Sequence, residues 1–190
     1  MNINLVFKIK KYLIVALLVA IVIQGCTKDV DFKQLDDASI HTTYLLTLLY
    51  TNLTVVNFLD EFNNEINFTQ DVIQVQISDE SRGYLEKIEF TVVTENTFDR
   101  NFILSTTFYD EFSQPIYQVT PEINIAENSG ELTTIIEIPE EDIHVIYDAK
   151  YFGFTMILLP SADGSSLNLS DTSTLTIKSS VKLYFNYRDL

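Results

Sequence analysis

The chain has 190 residues, a net charge of −15 and a hydrophobic fraction of 46%. That length suits one domain with a real core, and that charge repels phosphate backbones, which excludes nucleic acid as a partner. Phe and Tyr are abundant (13 and 10) while Gly and Pro are scarce (5 and 4), a composition for half-buried pleated surfaces rather than a disordered stalk.

The first segment carries Lys8, Lys10 and Lys11 and no acidic residue, then an apolar run from Tyr12 to Ile23. A membrane-spanning helix needs about 20 apolar residues. This run is shorter and has the length of a signal-peptide core. It ends at Ile23-Gln24-Gly25-Cys26, and Cys26 is the sole cysteine of the chain. The tetrapeptide resembles the lipobox of bacterial lipoproteins. The aliphatic Ile23, the small Gly25 and Cys26 itself match that pattern; Gln24 departs from it at its most tolerant position. The resemblance implies cleavage between Gly25 and Cys26, with residues 1–25 removed as a signal peptide. It also implies a lipid on Cys26: a diacylglycerol on the thiol and usually an acyl chain such as palmitate on the new amine. One chain anchors marginally, whereas two or three anchor firmly. The expected location is therefore the cell envelope, lipid-anchored in the outer membrane, with the surface or the periplasmic face left open. All 27 acidic residues lie beyond Cys26, so the lipid and not a basic patch must hold the bilayer.

Residues 26–39 are expected to form the lipidated Cys26 and an acidic tether, and residues 40–190 a single domain. The stretch Lys28-Asp29-Val30-Asp31 is similar to the charged segment that marks surface export in some Bacteroidota-type lipoproteins; it reads equally as a hydrophilic linker. The whole chain resembles the small envelope lipoproteins of that group, a likeness that implies a location and brings no functional residue besides Cys26. Without disulfides, the domain must hold itself together by its core.

Strand signals follow in order. Residues 42–53 are apolar on both faces, as in a buried central strand. Residues 55–62 place Val55, Phe58, Leu59 and Phe62 at helical spacing. Residues 71–77 alternate, with Ile73, Val75 and Ile77 on one face. Residues 84–94 turn Ile88, Phe90 and Val92 inward, and residues 101–109 do the same with Phe102, Leu104 and Phe108. Asp110-Glu111-Phe112-Ser113-Gln114 reads as a hairpin connection into a strand at 115–119, with a short strand around Ile123 and Ile125 after it. Asn128-Ser129-Gly130 is a turn, and Leu132, Thr134, Ile136 and Ile138 alternate beyond it. Pro139 then opens a short helix whose first turn is acidic, which suits the helix dipole. Residues 150–159 form a second two-faced strand, residues 161–173 a polar loop, and residues 175–187 a long closing strand.

Eight or nine short strands predict an all-β, antiparallel β-sandwich with one or two short helices. The Pro139 helix is the expected crossover between its sheets. An immunoglobulin-like topology is the first expectation, though other sandwiches and a barrel fit the same strand count.

Chemistry is sparse. His41 and His144 are the two histidines, too few for a zinc site without cysteine ligands. Ser113, Ser165 and Ser166 lie in loops outside any nucleophile elbow. The acidic pairs Asp60/Glu61, Asp79/Glu80, Asp110/Glu111 and Glu140/Glu141 read as solvated turns. Adjacent acids on a strand point to opposite faces and do not make a glycosidase pair. Asp163, Ser165 and Asp171 supply oxygens without an EF-hand spacing. No catalytic residue, metal site or cofactor is predicted. The expectation is a non-catalytic interaction or structural module whose partners are the membrane, through its lipid, and an envelope protein or surface ligand. The alternative is a glycan- or small-ligand-binding lipoprotein that serves an outer-membrane machine and uses Tyr109, Tyr151 or Tyr184 as a stacking platform.

Overall fold

In a computed structural model the described residues are 39–188. The expected signal peptide, Gly25, Cys26 and the tether up to residue 38 lie outside them. Eight strands build the domain: β1 (Ser39–Thr54), β2 (Phe68–Gln74), β3 (Leu85–Asn96), β4 (Phe102–Tyr109), β5 (Pro115–Ile125), β6 (Leu132–Ile138), β7 (Tyr151–Leu158) and β8 (Thr174–Arg188). Two single-turn helices, α1 (Asp79–Arg82) and α2 (Glu140–Ile143), and two 3₁₀ turns, Val55–Phe58 and His144–Asp148, complete it.

The strands form two four-stranded sheets, in the orders β1-β8-β3-β6 and β2-β7-β4-β5. Every neighbouring pair is antiparallel. The protein is thus an all-β sandwich, and its order is that of a jelly roll. The immunoglobulin-like expectation is corrected. In that fold the first two strands are neighbours, whereas here β1 lies beside β8 and β2 beside β7. Strand count and alternation carry no information about which strands pair, so the sequence left this open. The crossover after Pro139 is as expected: α2 and the following 3₁₀ turn carry the chain from β6 in one sheet to β7 in the other.

Alternation built the core. Ile88, Phe90 and Val92 of β3, Phe102, Leu104 and Phe108 of β4, and Ile136 and Ile138 of β6 are all buried. The centre is aromatic: Phe152 stacks on Phe90 (centroids 5.2 Å apart, planes 12° apart) and meets Phe108 at 4.5 Å. Phe58, Phe98 and Phe102 form a second cluster. The expected strands at 115–119 and around Ile123 are one strand, β5, whose register against β4 shifts between Leu104 and Thr106.

β1 also differs from expectation. It is an edge strand, not a central one, and Leu45 and Tyr50 are 65% and 70% exposed. Two apolar faces arise in a strand buried on both sides, but they arise equally in an edge strand that has something other than water to meet.

Candidate functional site

The outer faces of the two sheets differ in chemistry. The outer face of β8, β3 and β6 is an ion-pair ladder. Lys182 Nζ lies 3.0 Å from Glu89, Lys87 Nζ lies 3.5 Å from the same carboxylate, and Lys87 also bonds Glu137. The hydrogen bond from Lys182 holds the Glu89 carboxyl below its ordinary range, and the bond to Glu137 raises the Lys87 ammonium. Tyr184 sits here, its hydroxyl donating to Glu89 and its ring 5.2 Å under the Lys87 ammonium. Ion pairs at the surface of a sheet contribute little stability, but they fill the face with charge.

The outer face of β2, β7 and β4 carries none. The register places Phe68, Gln70, Val72 and Gln74 of β2 beside Ile157, Thr155, Gly153 and Tyr151 of β7. On the far side of β7 the same row meets Ile103, Ser105, Thr107 and Tyr109 of β4. None of these twelve positions bears a formal charge, in a chain that is 21% charged. Asp71, the one acid in these strands, alternates to the other side of β2. The first charged group met toward β5 is Glu122, where Gln118 donates to it at 3.0 Å.

Tyr109 shapes this surface. A Cβ on Gly153 would lie 2.8 Å from Tyr109 Cε2, so the edge of the ring fills the space that a side chain at 153 would take. Gln70 Nε2 donates to the Tyr109 hydroxyl at 3.3 Å and fixes the ring at its tip. Tyr151 is the direct cross-strand partner of Tyr109, at the separation where side chains interact. Phe68 and Val72 on the same face are 59% and 46% exposed. The three tyrosines singled out in the sequence therefore separate: Tyr109 and Tyr151 come together, and Tyr184 stands on the opposite sheet. Gly153 and Gln70 were missed. Their signal was present in the sequence as three uncharged strand faces in an acidic chain.

The other candidates serve the fold. Asp60 and Asp110 each close a turn: Asp60 Oδ1 accepts from Phe62 N and Asn64 N at 2.9 and 2.8 Å, and Asp110 Oδ1 from Phe112 N and Gln114 N at 2.8 Å. Bonds from Ser161 and Ser165 hold the Asp163 carboxyl well below its ordinary value, and Asp171 accepts from Ser173 N at 2.8 Å. Among the described residues no three His, Cys, Asp or Glu side chains gather as a metal site. His41 is on β1 and His144 opens the second 3₁₀ turn, both exposed. Ser113 lies in the Asp110 turn, and Ser165 and Ser166 lie in the loop before β8.

That loop is pinned by a buried pair. Arg100, 2% exposed, donates from Nη2 to Glu65 Oε1 at 2.7 Å and from Nη1 to Glu65 Oε2 at 3.2 Å. It also donates to the carbonyls of Leu159 and Ser165 at 3.1 and 3.0 Å. Glu65 in turn accepts from Leu167 N at 2.9 Å. One guanidinium thus ties together three loops at one end of the sandwich. Nothing in the sequence distinguished these two charges from solvated ones.

Among the described residues no helix is long and apolar enough to cross a membrane. No family model and no curated protein matches the chain. Solved structures similar to it include a protein of Parabacteroides distasonis taken to be secreted, at 17% identity over 61% of this chain and 37% of that one, with a TM-score of 0.47. Another is from the Gx strain of infectious bursal disease virus, at 8% identity over 76% of this chain and 32% of that one, with a TM-score of 0.43. The chain therefore spans about a third of the length of either.

Proposed function

We propose that this protein is a lipid-anchored, non-catalytic binding module of the cell envelope that holds an uncharged glycan on the outer face of β2, β7 and β4. The observation that carries the reading is that twelve-position uncharged face, with the Tyr109 ring packed against Gly153 where a side chain would otherwise stand. Tyr109 and Tyr151 supply aromatic rings to this face, and the electron-rich face of such a ring suits the weakly positive C–H face of a sugar. Gln74, Thr107 and Thr155 offer amide and hydroxyl partners for sugar hydroxyls, and a few placed polar groups suffice to orient a ligand. The net charge of −15 disfavours polyuronates and other polyanions.

Titration of the full chain with neutral and anionic polysaccharides tests this. Binding is expected for a neutral glycan, with Tyr109→Ala and Tyr151→Ala each weakening it at least tenfold. Gly153→Ala keeps both rings but lifts Tyr109 from its seat, and is expected to weaken binding as well. Absence of binding to any neutral glycan would sink the glycan reading. Binding that survives all three substitutions would move the site elsewhere.

The anchor rests on Cys26. Growth with an alkyne-bearing palmitate is expected to label the wild-type chain. In Cys26→Ser the label should disappear and residues 1–25 should stay attached, which intact mass shows directly. A Cys26→Ser chain that is still labelled or still processed there rules the anchor out. Protease treatment of intact cells then assigns the face: digestion means the outer surface, and protection until lysis means the periplasm.

A further inference from the structure

On one side of the sandwich the edge strands β1 and β2 face each other without pairing. Among the described residues β1 pairs as a strand only with β8 and β2 only with β7. Between them the core is open. A cleft of about 350 Å³ enters between Leu48 on β1 and Val75 just past β2, and it ends against the buried rings of Phe90, Phe108 and Phe152. Its lining crosses from β1 over β8 to β3 in one sheet, and from the end of β2 over β7 to β4 in the other. Two steps of about 4.8 Å between strands put the deep end about 10 Å inside, and packed sheets stand about 10 Å apart. The space is therefore narrow and runs inward.

Of its sixteen lining residues none is charged, and the only polar ones are Thr47, Gln74 and Gln76, all on the two edge segments. A second opening farther along the same seam, of about 230 Å³, has Asp71, Asn57 and Gln70 in its wall. Apolar character is thus a property of this cleft and not of the whole seam. One rim is irregular where it opens: β1 shifts register between Thr47 and Leu49, opposite the end of β2, where Val75 N still donates to Lys150 O at 2.9 Å. Irregularities of this kind re-aim side chains and end pairing, and they concentrate beside functional sites.

We propose that this cleft takes the single hydrocarbon chain of an amphiphile, with the tail against Phe108 and Phe152 and an uncharged polar group at the Gln74–Gln76 rim. Water finds no partner along such a wall, whereas apolar cavities lined by Leu, Ile and Phe stay dry and accept apolar ligands. The volume falls at the lower end of small-molecule sites, about 300–1,000 Å³, which leaves no room for the second tail of a diacyl lipid. The rim amides can bond an ester, an amide or a protonated acid, and no cation waits there for a carboxylate. Apart from Gln74, which stands at the rim of both, the cleft uses inward positions and the glycan face the outward positions of the same strands.

The test is photo-crosslinking of the full chain, held in lipid nanodiscs, with a monopalmitoylglycerol whose acyl chain carries a diazirine near its methyl end. The expected adducts lie on peptides containing Phe108 or Phe152, and excess unlabelled monopalmitoylglycerol removes them. Val75→Trp plugs the mouth from one rim and Leu48→Trp from the other; each is expected to lower these adducts at least fivefold. Ile135→Trp, on the outer face of β6, should leave them unchanged. Adducts confined to exposed positions such as Leu45 and Tyr50, or deep adducts indifferent to both plugs, would overturn the proposal. Glycan binding is read in the same preparations, so failure of one site is told apart from failure of the other.

Discussion

Phe152→Ala lowers the free energy of unfolding by about 3–5 kcal/mol, the range for removing a buried aromatic side chain. Phe152 is 1% exposed and lies on β7 between Ile73 of β2 and Phe108 of β4. Its ring touches Phe90, Phe108 and Phe154, at 5.2, 4.5 and 4.8 Å between centroids. Truncation takes a partner from all three and extends the apolar cleft. The second consequence makes the experiment more informative: in this variant added monopalmitoylglycerol should restore part of the lost thermal stability, because its chain can fill what the ring left. Ile135→Ala, at a position 59% exposed, is the reference and should shift stability by less than about 0.5 kcal/mol. Urea unfolding followed by tyrosine fluorescence measures both. A cost below about 1 kcal/mol for Phe152→Ala would mean that this aromatic cluster does not close the core.

Arg100→Met should cost a similar amount, about 3–5 kcal/mol, for a different reason. The loss is not chiefly that of an attraction. It leaves the Glu65 carboxylate, only 18% exposed, without the cation that compensated its burial. The double variant Arg100→Met, Glu65→Met should recover much of the loss, since it removes the stranded charge as well. The pH dependence supplies the sharper signature. Burial pushes the Glu65 carboxyl up, but the Arg100 hydrogen bond, the Leu167 N–H and the Arg100 charge outweigh it and hold the group below its ordinary 4.5. A carboxyl depressed in the folded state contributes stability above its unfolded value and loses it as pH falls through the folded one. Wild type should therefore weaken on acidification below about pH 4.5 through this group. In Arg100→Met only the Leu167 bond remains against burial, so that loss on acidification should shrink or reverse. Urea midpoints between about pH 3 and 7 decide it; parallel profiles for the two proteins would refute the assignment.

Much of this architecture could be read from alternation, and the failures have identifiable causes. Inward positions of β3, β4 and β6 were legible because each strand has one wet face, which writes a period of two into the sequence. α2 was legible from Pro139 and the acids after it. β1 was misjudged because its exposed edge is apolar. The strand order was not legible because no local signal says which distant strand lies alongside. One short signal was legible and went unused. Asp60-Glu61-Phe62-Asn63-Asn64 and Asp110-Glu111-Phe112-Ser113-Gln114 are the same pentapeptide in type, and they fold alike: an Asp carboxylate caps two N–H groups, and the fourth residue, Asn63 or Ser113, takes a positive φ of 62° or 59°. Both acidic pairs read as solvated turns, one at the end of a helically spaced stretch and one in a hairpin, and the likeness of their residues points further, to one turn type. Of the binding face, its two tyrosines were legible. The glycine against Tyr109 was not, because only the sheet register brings residues 109 and 153 together.

The pairing of β1 with β8 also sets a timetable. The first strand of the domain can be completed only by the last, so the two ends of the described chain meet as a late event, and closure across so long a separation slows folding. Until then β1 waits with sixteen residues that include no Asp, Glu, Lys or Arg, the kind of segment that associates with its own copies when left bare. A chain made from its N-terminus onward cannot shield β1 during synthesis and has to keep it unfolded or escorted until β8 is available. For the same reason the C-terminal strand is no dispensable tail: β8 lies between β1 and β3 in its sheet, and a nonsense codon shortly after Ser173 would take out the middle of the sheet, with both of its neighbours left unpaired on that side.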